Sequence, residues 1–235
     1  LTFWRGRTML ILAAHLWATL QLTGTFAMPA DGDTRASMAI LADPPVTGRQ
    51  LAALLHARRT VVPKRLGTPG PERAELEQIL GAAATAPDHA GLVPWRFVIV
   101  PPPQRGRLAD VFAQSLQQGT PDERGMEREK AFRAPVLMLA IVRLGPDNEL
   151  IPATERIVSA GCAIQNMLLT ATVLGYGSAL TSGKALQSSG LRALFALDQL
   201  EEPLCFISVG TVLAHVAGAV RPDLERYVSE LIPAP

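Results

Sequence analysis

The chain has 235 residues, enough for one well-buried domain and barely enough for two. Just under half are apolar, fewer than a fifth are charged, and basic and acidic side chains nearly cancel to a net charge of +1. That balance excludes a disordered chain and leaves no basic field to drive nucleic-acid binding. The first stretch differs from the rest. Arg5 and Arg7 precede an apolar run from Met9 to Leu22, and Thr25-Phe26-Ala27 offers a small-residue cleavage site, the outline of an export signal. His15, Thr19 and Gln21 interrupt the run and make it a poor membrane span. The competing expectation is an over-long start, with Met38 as the first residue of the working protein. On either reading residues 1–45 are an atypical N-terminal extension to a single domain over residues 46–235.

From Thr47 the pattern becomes regular. Gln50 to Ala57 reads as a helix with Leu51, Leu54 and Leu55 on one face, closed by Arg58-Arg59-Thr60 and stopped by Pro63. Pro71 opens a second helix, with Glu72 and Glu75 near its positive end and Leu76, Ile79, Leu80 and Ala83 as its apolar stripe. Pro87 ends it. Trp95 to Val100 is a short buried strand. Gln104 to Gln118 is an amphipathic helix, and the charged segment Pro121 to Phe132 a helix covering a sheet edge or the site. Val136 to Val142 is a second buried strand. Ala153 to Leu174 is the longest helical pattern and is apolar nearly all round, so it lies in a core or a subunit interface. Gly175 and Gly177 end it. Tyr176 to Leu180 is a short strand, Ser189 to Phe195 a short helix, and Leu204 to Leu213 a third strong strand. Strands alternating with helices place the fold in the α/β or α+β class.

Nucleotide-binding, zinc-protease and nucleophile-elbow motifs are absent, and His56, His89 and His215 have no ligand-like spacing. Cys162 and Cys205 lie in apolar runs and read as buried thiols in a reducing compartment. No autonomous nucleophile and base pair stands out, so any redox chemistry would be carried by a bound cofactor.

Four ordered segments give this chain a specific resemblance. They are Arg58-Arg59-Thr60; Ala86-Pro87-Asp88-His89 followed by Pro94-Trp95-Arg96-Phe97; Ser159-Ala160-Gly161-Cys162-Ala163 with Gln165-Asn166-Met167-Leu168-Leu169; and Gly175-Tyr176-Gly177 leading to Ser182-Gly183, with Gly210-Thr211 after the last strand. Together they resemble the small, minimal branch of the nitroreductase family over residues 48–235. The resemblance implies an α+β fold, a mainly antiparallel central sheet wrapped by helices, dimerised through the long helix. It implies a homodimer with two FMN sites, each built from both subunits. It also implies a ping-pong cycle in which NADH or NADPH reduces the flavin and a small-molecule electron acceptor, such as a nitroaromatic or quinone, reoxidises it. A cytoplasmic enzyme with no membrane or nucleic-acid partner follows.

Carried onto this sequence, the resemblance gives Arg58, Arg59 and Thr60 the FMN phosphate, which guanidinium forks suit. The bland alternative is a solvated helix C-terminus, where arginine meets the negative dipole end. Asp88 and His89 fall in a loop against the flavin, or are a turn aspartate and a surface histidine. The family loop's Asn and Gln positions hold Gly91 and Val93 here. The stretch Ala179-Leu180-Thr181-Ser182-Gly183 falls on the flavin face, with Leu180 and Thr181 where the branch often has Trp and Arg. Arg221 stands near the position of a phosphate-binding cation. No side chain is expected to be catalytic, because the flavin carries the chemistry. Two rival expectations are a catalytically weak flavin-binding protein of the same fold and an exported binding protein. The long helix is expected to meet its partner through Ile164, Met167 and Leu168.

Overall fold

The structure is a computed structural model and describes residues 46–231, apart from 147, 149, 215, 216 and 219. The signal-like segment and Met38 lie outside the described residues. Helices α1 (Gly48–Ala57), α2 (Arg73–Gly81), α3 (Arg105–Gln114), α4 (Pro121–Glu129), α5 (Ala153–Val173) and α6 (Ser189–Leu194) alternate with strands β1 (Leu66–Gly67), β2 (Trp95–Ile99), β3 (Val136–Arg143), β4 (Gly177–Thr181) and β5 (Glu201–Val212). Local chemistry fixes the helix starts. Thr47 and Gln50 form a capping box ahead of α1, as do Thr120 and Glu123 ahead of α4, where Pro121 takes the first turn. Helix α2 begins two residues after Pro71, at a turn where the Glu72 N–H donates to Glu75 at 2.8 Å.

Every strand pairing is antiparallel, with order β1-β5-β3-β2 and β4 on β5. The class is therefore α+β, with helices on both faces of one sheet. Strand β3 shows why. Leu137, Leu139 and Ile141 enter one core with Leu108, Phe112, Leu191 and Phe206. Met138 and Ala140 enter the other, with Ile79, Ala163, Ile164, Met167 and Ile207. Side chains alternate faces along a strand, so a strand covered on both sides reads as a continuous apolar run. Strand β5 starts at Glu201, earlier than its apolar run suggests, because Pro203 is accommodated where the β3–β5 register shifts beside Leu204.

Gly177 and Gly210 sit opposite each other in the β4–β5 pair. A Cβ on Gly177 would lie 2.7 Å from Val212, and one on Gly210 2.7 Å from Pro135, so both positions exclude side chains. Helix α5 departs from the expectation in one respect. Ile164, Met167 and Leu168 are buried within their own chain, and the apolar groups it exposes are Ile157, Val158 and Val173. The long helix packs one stripe on the sheet and turns another outward. Both cysteines are free thiols, each half-buried, and burial pushes the Cys205 thiol up to about 11.

Candidate functional site

The segment after α1 runs beside β4. Thr60 bridges Ser178 in parallel, and the Val61 N–H donates to the Ser178 carbonyl at 2.9 Å. Arg58 and Arg59 therefore lie toward the start of β4, while Pro63 lies toward its end. Arg221 reaches back across the tail, its Nη2 donating to the Arg58 carbonyl at 3.1 Å. Arg59 donates to the carbonyls of His56 and Arg58, and a Cβ on Gly218 would lie 3.6 Å from its guanidinium. Burial, then Arg221, then Arg59 lowers the pKa of Arg58. Among the described residues no carboxylate pairs with any of the three. Like charges gathered without a counter-ion are unfavourable in the empty protein and favourable around an anion.

At the other end of β4 lies a cavity of about 200 Å³. Phe112, Leu137, Leu186 and Phe206 give it apolar walls, and Thr181, Ser182 and Gly183 form one edge. Lys130, Arg133 and Lys184 supply cations around it, with Glu127 paired to Lys130. Sequence reasoning missed Pro63, Lys130, Arg133 and Lys184. The only signal was the charged helix α4, expected to cover an edge or the site. Ala179, by contrast, is buried in the sheet and Leu180 is exposed, and neither lines the cavity. The buried Ser178 Oγ, on the sheet face of Ile207 and Val209 rather than the cavity's, has no hydrogen-bond partner among the described residues.

Asp88 and His89 belong to a separate cleft of about 310 Å³, against the start of α5. The Asp88 carboxylate accepts the Val93 N–H at 2.6 Å and closes the loop, in which Ala90, Gly91 and Val93 all have positive φ. Its first task is structural. His89 Nδ1 lies 2.8 Å from Glu155 Oε2 on α5. In a single chain, then, the structure brings Arg58, Arg59 and Arg221 together, and places Thr181–Gly183 along the same strand. It does not bring Asp88 or His89 to them.

A second arginine system holds the cavity walls. Arg105, 4% exposed, donates to the carbonyls of Val100 at 2.6 Å, Ala131 at 2.6 Å and Pro135 at 3.2 Å. It ties α3 to the turn that carries Arg133. Further along the sheet, the Arg96 fork grips the buried Glu201 at 2.7 and 2.9 Å. The Arg96 hydrogen bond holds the Glu201 carboxyl below the ordinary carboxylate range.

Fold and site thus define an α+β sandwich with an apolar cavity at one strand end and, toward the other, guanidinium groups that have no carboxylate partner among the described residues. Compared with known families, the chain belongs to the nitroreductase family, which its residues 55–211 match. It is 30% identical over 179 residues to YdjA of Escherichia coli K12, a candidate NAD(P)H nitroreductase, covering 75% of this chain and 96% of that protein. A candidate NAD(P)H nitroreductase of Haemophilus influenzae is 29% identical over 171 residues, covering 72% of this chain and 93% of that protein. Among solved structures, a nitroreductase-like protein from Bacillus cereus aligns with a TM-score of 0.67 at 19% identity, over 80% of this chain and 99% of that one. A candidate nitroreductase from Desulfovibrio desulfuricans in complex with FMN aligns with a TM-score of 0.59 at 23% identity, over 80% of this chain and all of the other. These two likenesses concern the fold. Among the described residues no helix is long and apolar enough to cross a membrane.

Proposed function

We propose that this protein is an FMN-dependent NAD(P)H oxidoreductase that reduces small acceptors such as nitroaromatics or quinones in a ping-pong cycle. The observation that carries the reading is the arginine cluster without a carboxylate, set along one strand from an apolar cavity. Bound FMN would supply the hydride chemistry, accepting from a dihydronicotinamide and delivering to the acceptor. The protein's task is to bind and orient. Arg58, Arg59 and Arg221 hold the phosphate, with Thr60 beside them. Three residues of extended strand, about 10 Å, separate the Thr60–Ser178 bridge from Thr181, a span suited to a ribityl chain. The cavity between Phe112, Leu137 and Phe206 takes the ring, with Thr181–Gly183 at its edge. Lys130 and Arg133 provide positive charge where negative charge develops on reduction.

The protein acts as a homodimer in this reading. Ile157, Val158 and Val173 on α5, and Val220, Leu224, Tyr227, Val228 and Leu231 on the tail, are exposed apolar groups that a partner would cover. Asp88 and His89, remote from the cavity edge in one chain, then reach the flavin of the other subunit. Relatives bearing the nitroreductase name support the activity. The test is the visible spectrum and flavin content of the purified protein, followed by anaerobic mixing with NADH or NADPH. Flavin absorbance that bleaches with the nicotinamide and returns with a quinone is the expected result. A colourless protein that FMN cannot reconstitute overturns the reading.

A further inference from the structure

Next to the cavity lies a second and larger opening of about 1070 Å³. It forms where the end of α3 and residues 115–118 face residues 184–190. Its chemistry differs from the cavity's. Gln114, Gln117, Gln118 and Gln187 line it with carboxamides, and no aspartate or glutamate does. Among the described residues none of the four carboxamides makes a hydrogen bond within the protein. Four such groups offer paired donors and acceptors to a ligand. Among the described residues the only cation in the lining is Lys184, and it lines the cavity as well. The Glu123 carboxyl is held low first by its Thr120 backbone bond and only last by Lys184, and the two form no ion pair.

The opening is also on the side of the sheet away from α5. Val111 belongs to the core cluster of α3, α6 and Phe206, whereas α5 packs in the other.

We propose that this polar cleft seats the adenosine-diphosphate half of the dinucleotide reductant, and that its neutral walls favour NADH over NADPH. The inference rests on the functional reading above, which puts the reacting ring in the neighbouring cavity. Lys184, at the junction, is a point charge suited to the diphosphate that links the two halves. Beyond it, carboxamides match the ribose hydroxyls and the adenine edge. Among the described lining residues no second cation meets a 2′-phosphate, which dinucleotide sites accommodate with an arginine.

The test uses the full chain carrying its flavin. ADP-ribose, which lacks the nicotinamide, is titrated calorimetrically into wild type and Gln117→Ala/Gln187→Ala. Both side chains are exposed, so the variant keeps its fold. Loss of two neutral hydrogen bonds should weaken ADP-ribose about 10-fold. Gln187→Glu should weaken it further by repelling the diphosphate. In turnover, kcat/KM for NADH should fall by a similar factor, while reduced nicotinamide mononucleotide, which has no adenosine half, should be used unchanged. ADP-ribose carrying a 2′-phosphate should bind more weakly than ADP-ribose. If ADP-ribose does not bind, or binds wild type and variants alike, the assignment is overturned. If the 2′-phosphorylated form binds as tightly or tighter, the NADH preference is overturned. Reduction by the mononucleotide reports on the flavin reading independently, so the two failures stay distinct.

Discussion

Two groups of arginines teach opposite lessons. Arg105 is buried and meets three fixed carbonyls, while Arg58, Arg59 and Arg221 meet one another and a few backbone oxygens at the surface end of β4. Burial lowers the pKa of both Arg105 and Arg58, but only Arg58 is also pressed by neighbouring cations. A guanidinium whose donors are spent on backbone acceptors belongs to the fold. Guanidinium groups gathered against their own repulsion mark a place for an anion. The residue type is the same, and the partners decide the role.

The comparison can be broken by mutation, and the largest effect belongs to Arg105. Arg105→Ala leaves two buried carbonyls and a part-buried one without this donor and should cost about 3–5 kcal/mol of stability, with Arg105→Lys recovering only part. Urea denaturation of the purified variants measures this, and a loss below about 1 kcal/mol would remove Arg105 from the structural class. Arg58→Ala should behave in reverse. Stability should change by less than about 1 kcal/mol, because a repulsive neighbour is removed, while FMN binding weakens about 10- to 150-fold. Riboflavin, with no phosphate, should bind wild type and variant equally. Equal weakening of both flavins would make Arg58 a fold residue.

Glu201 sharpens the contrast with a pH dependence. Its partner Arg96 is partly exposed, with 42% of its side chain accessible, so Glu201→Gln should cost only about 1–2 kcal/mol at neutral pH. The folded carboxyl is depressed below its unfolded value. Its stabilisation is therefore full above about pH 4.3 and is lost as pH falls through the folded pKa. Wild type and Glu201→Gln should converge in stability in strong acid, and a gap unchanged with pH would show that shape rather than charge matters. The smallest effect concerns Val93, a branched residue at φ 46°. A left-handed conformation costs such a residue about 1–2 kcal/mol, and glycine's greater freedom when unfolded takes part of that back. Val93→Gly should gain up to about 1 kcal/mol in thermal unfolding, and a loss would mean that the valine side chain packs usefully.

Much of the fold is written in neighbouring residues. The long helical pattern of α5 and the apolar run of β3 act over a few positions, and a linear reading finds them. The family segments also survive in the sequence, in order. Other features needed the folded chain. The two-residue strand β1 has no periodic signal. Pro203 reads as a break until a register shift accommodates it. The long helix was apolar all round, so only packing could decide that Ile164, Met167 and Leu168 turn inward and Ile157 and Val158 outward. The bond from the Val93 N–H to one Asp88 carboxylate oxygen also needed the folded loop. The cation cluster joins Arg58 to Arg221 across 163 positions, and the cavity joins Lys130 to Thr181. Propensity and capping are set by near neighbours, so the sequence alone determined the elements and the family they form. Convergence, burial and hydrogen-bond occupancy depend on residues far apart in the chain, so only the tertiary structure decided which charged groups are spent on the fold and which lie together with no carboxylate partner among the described residues.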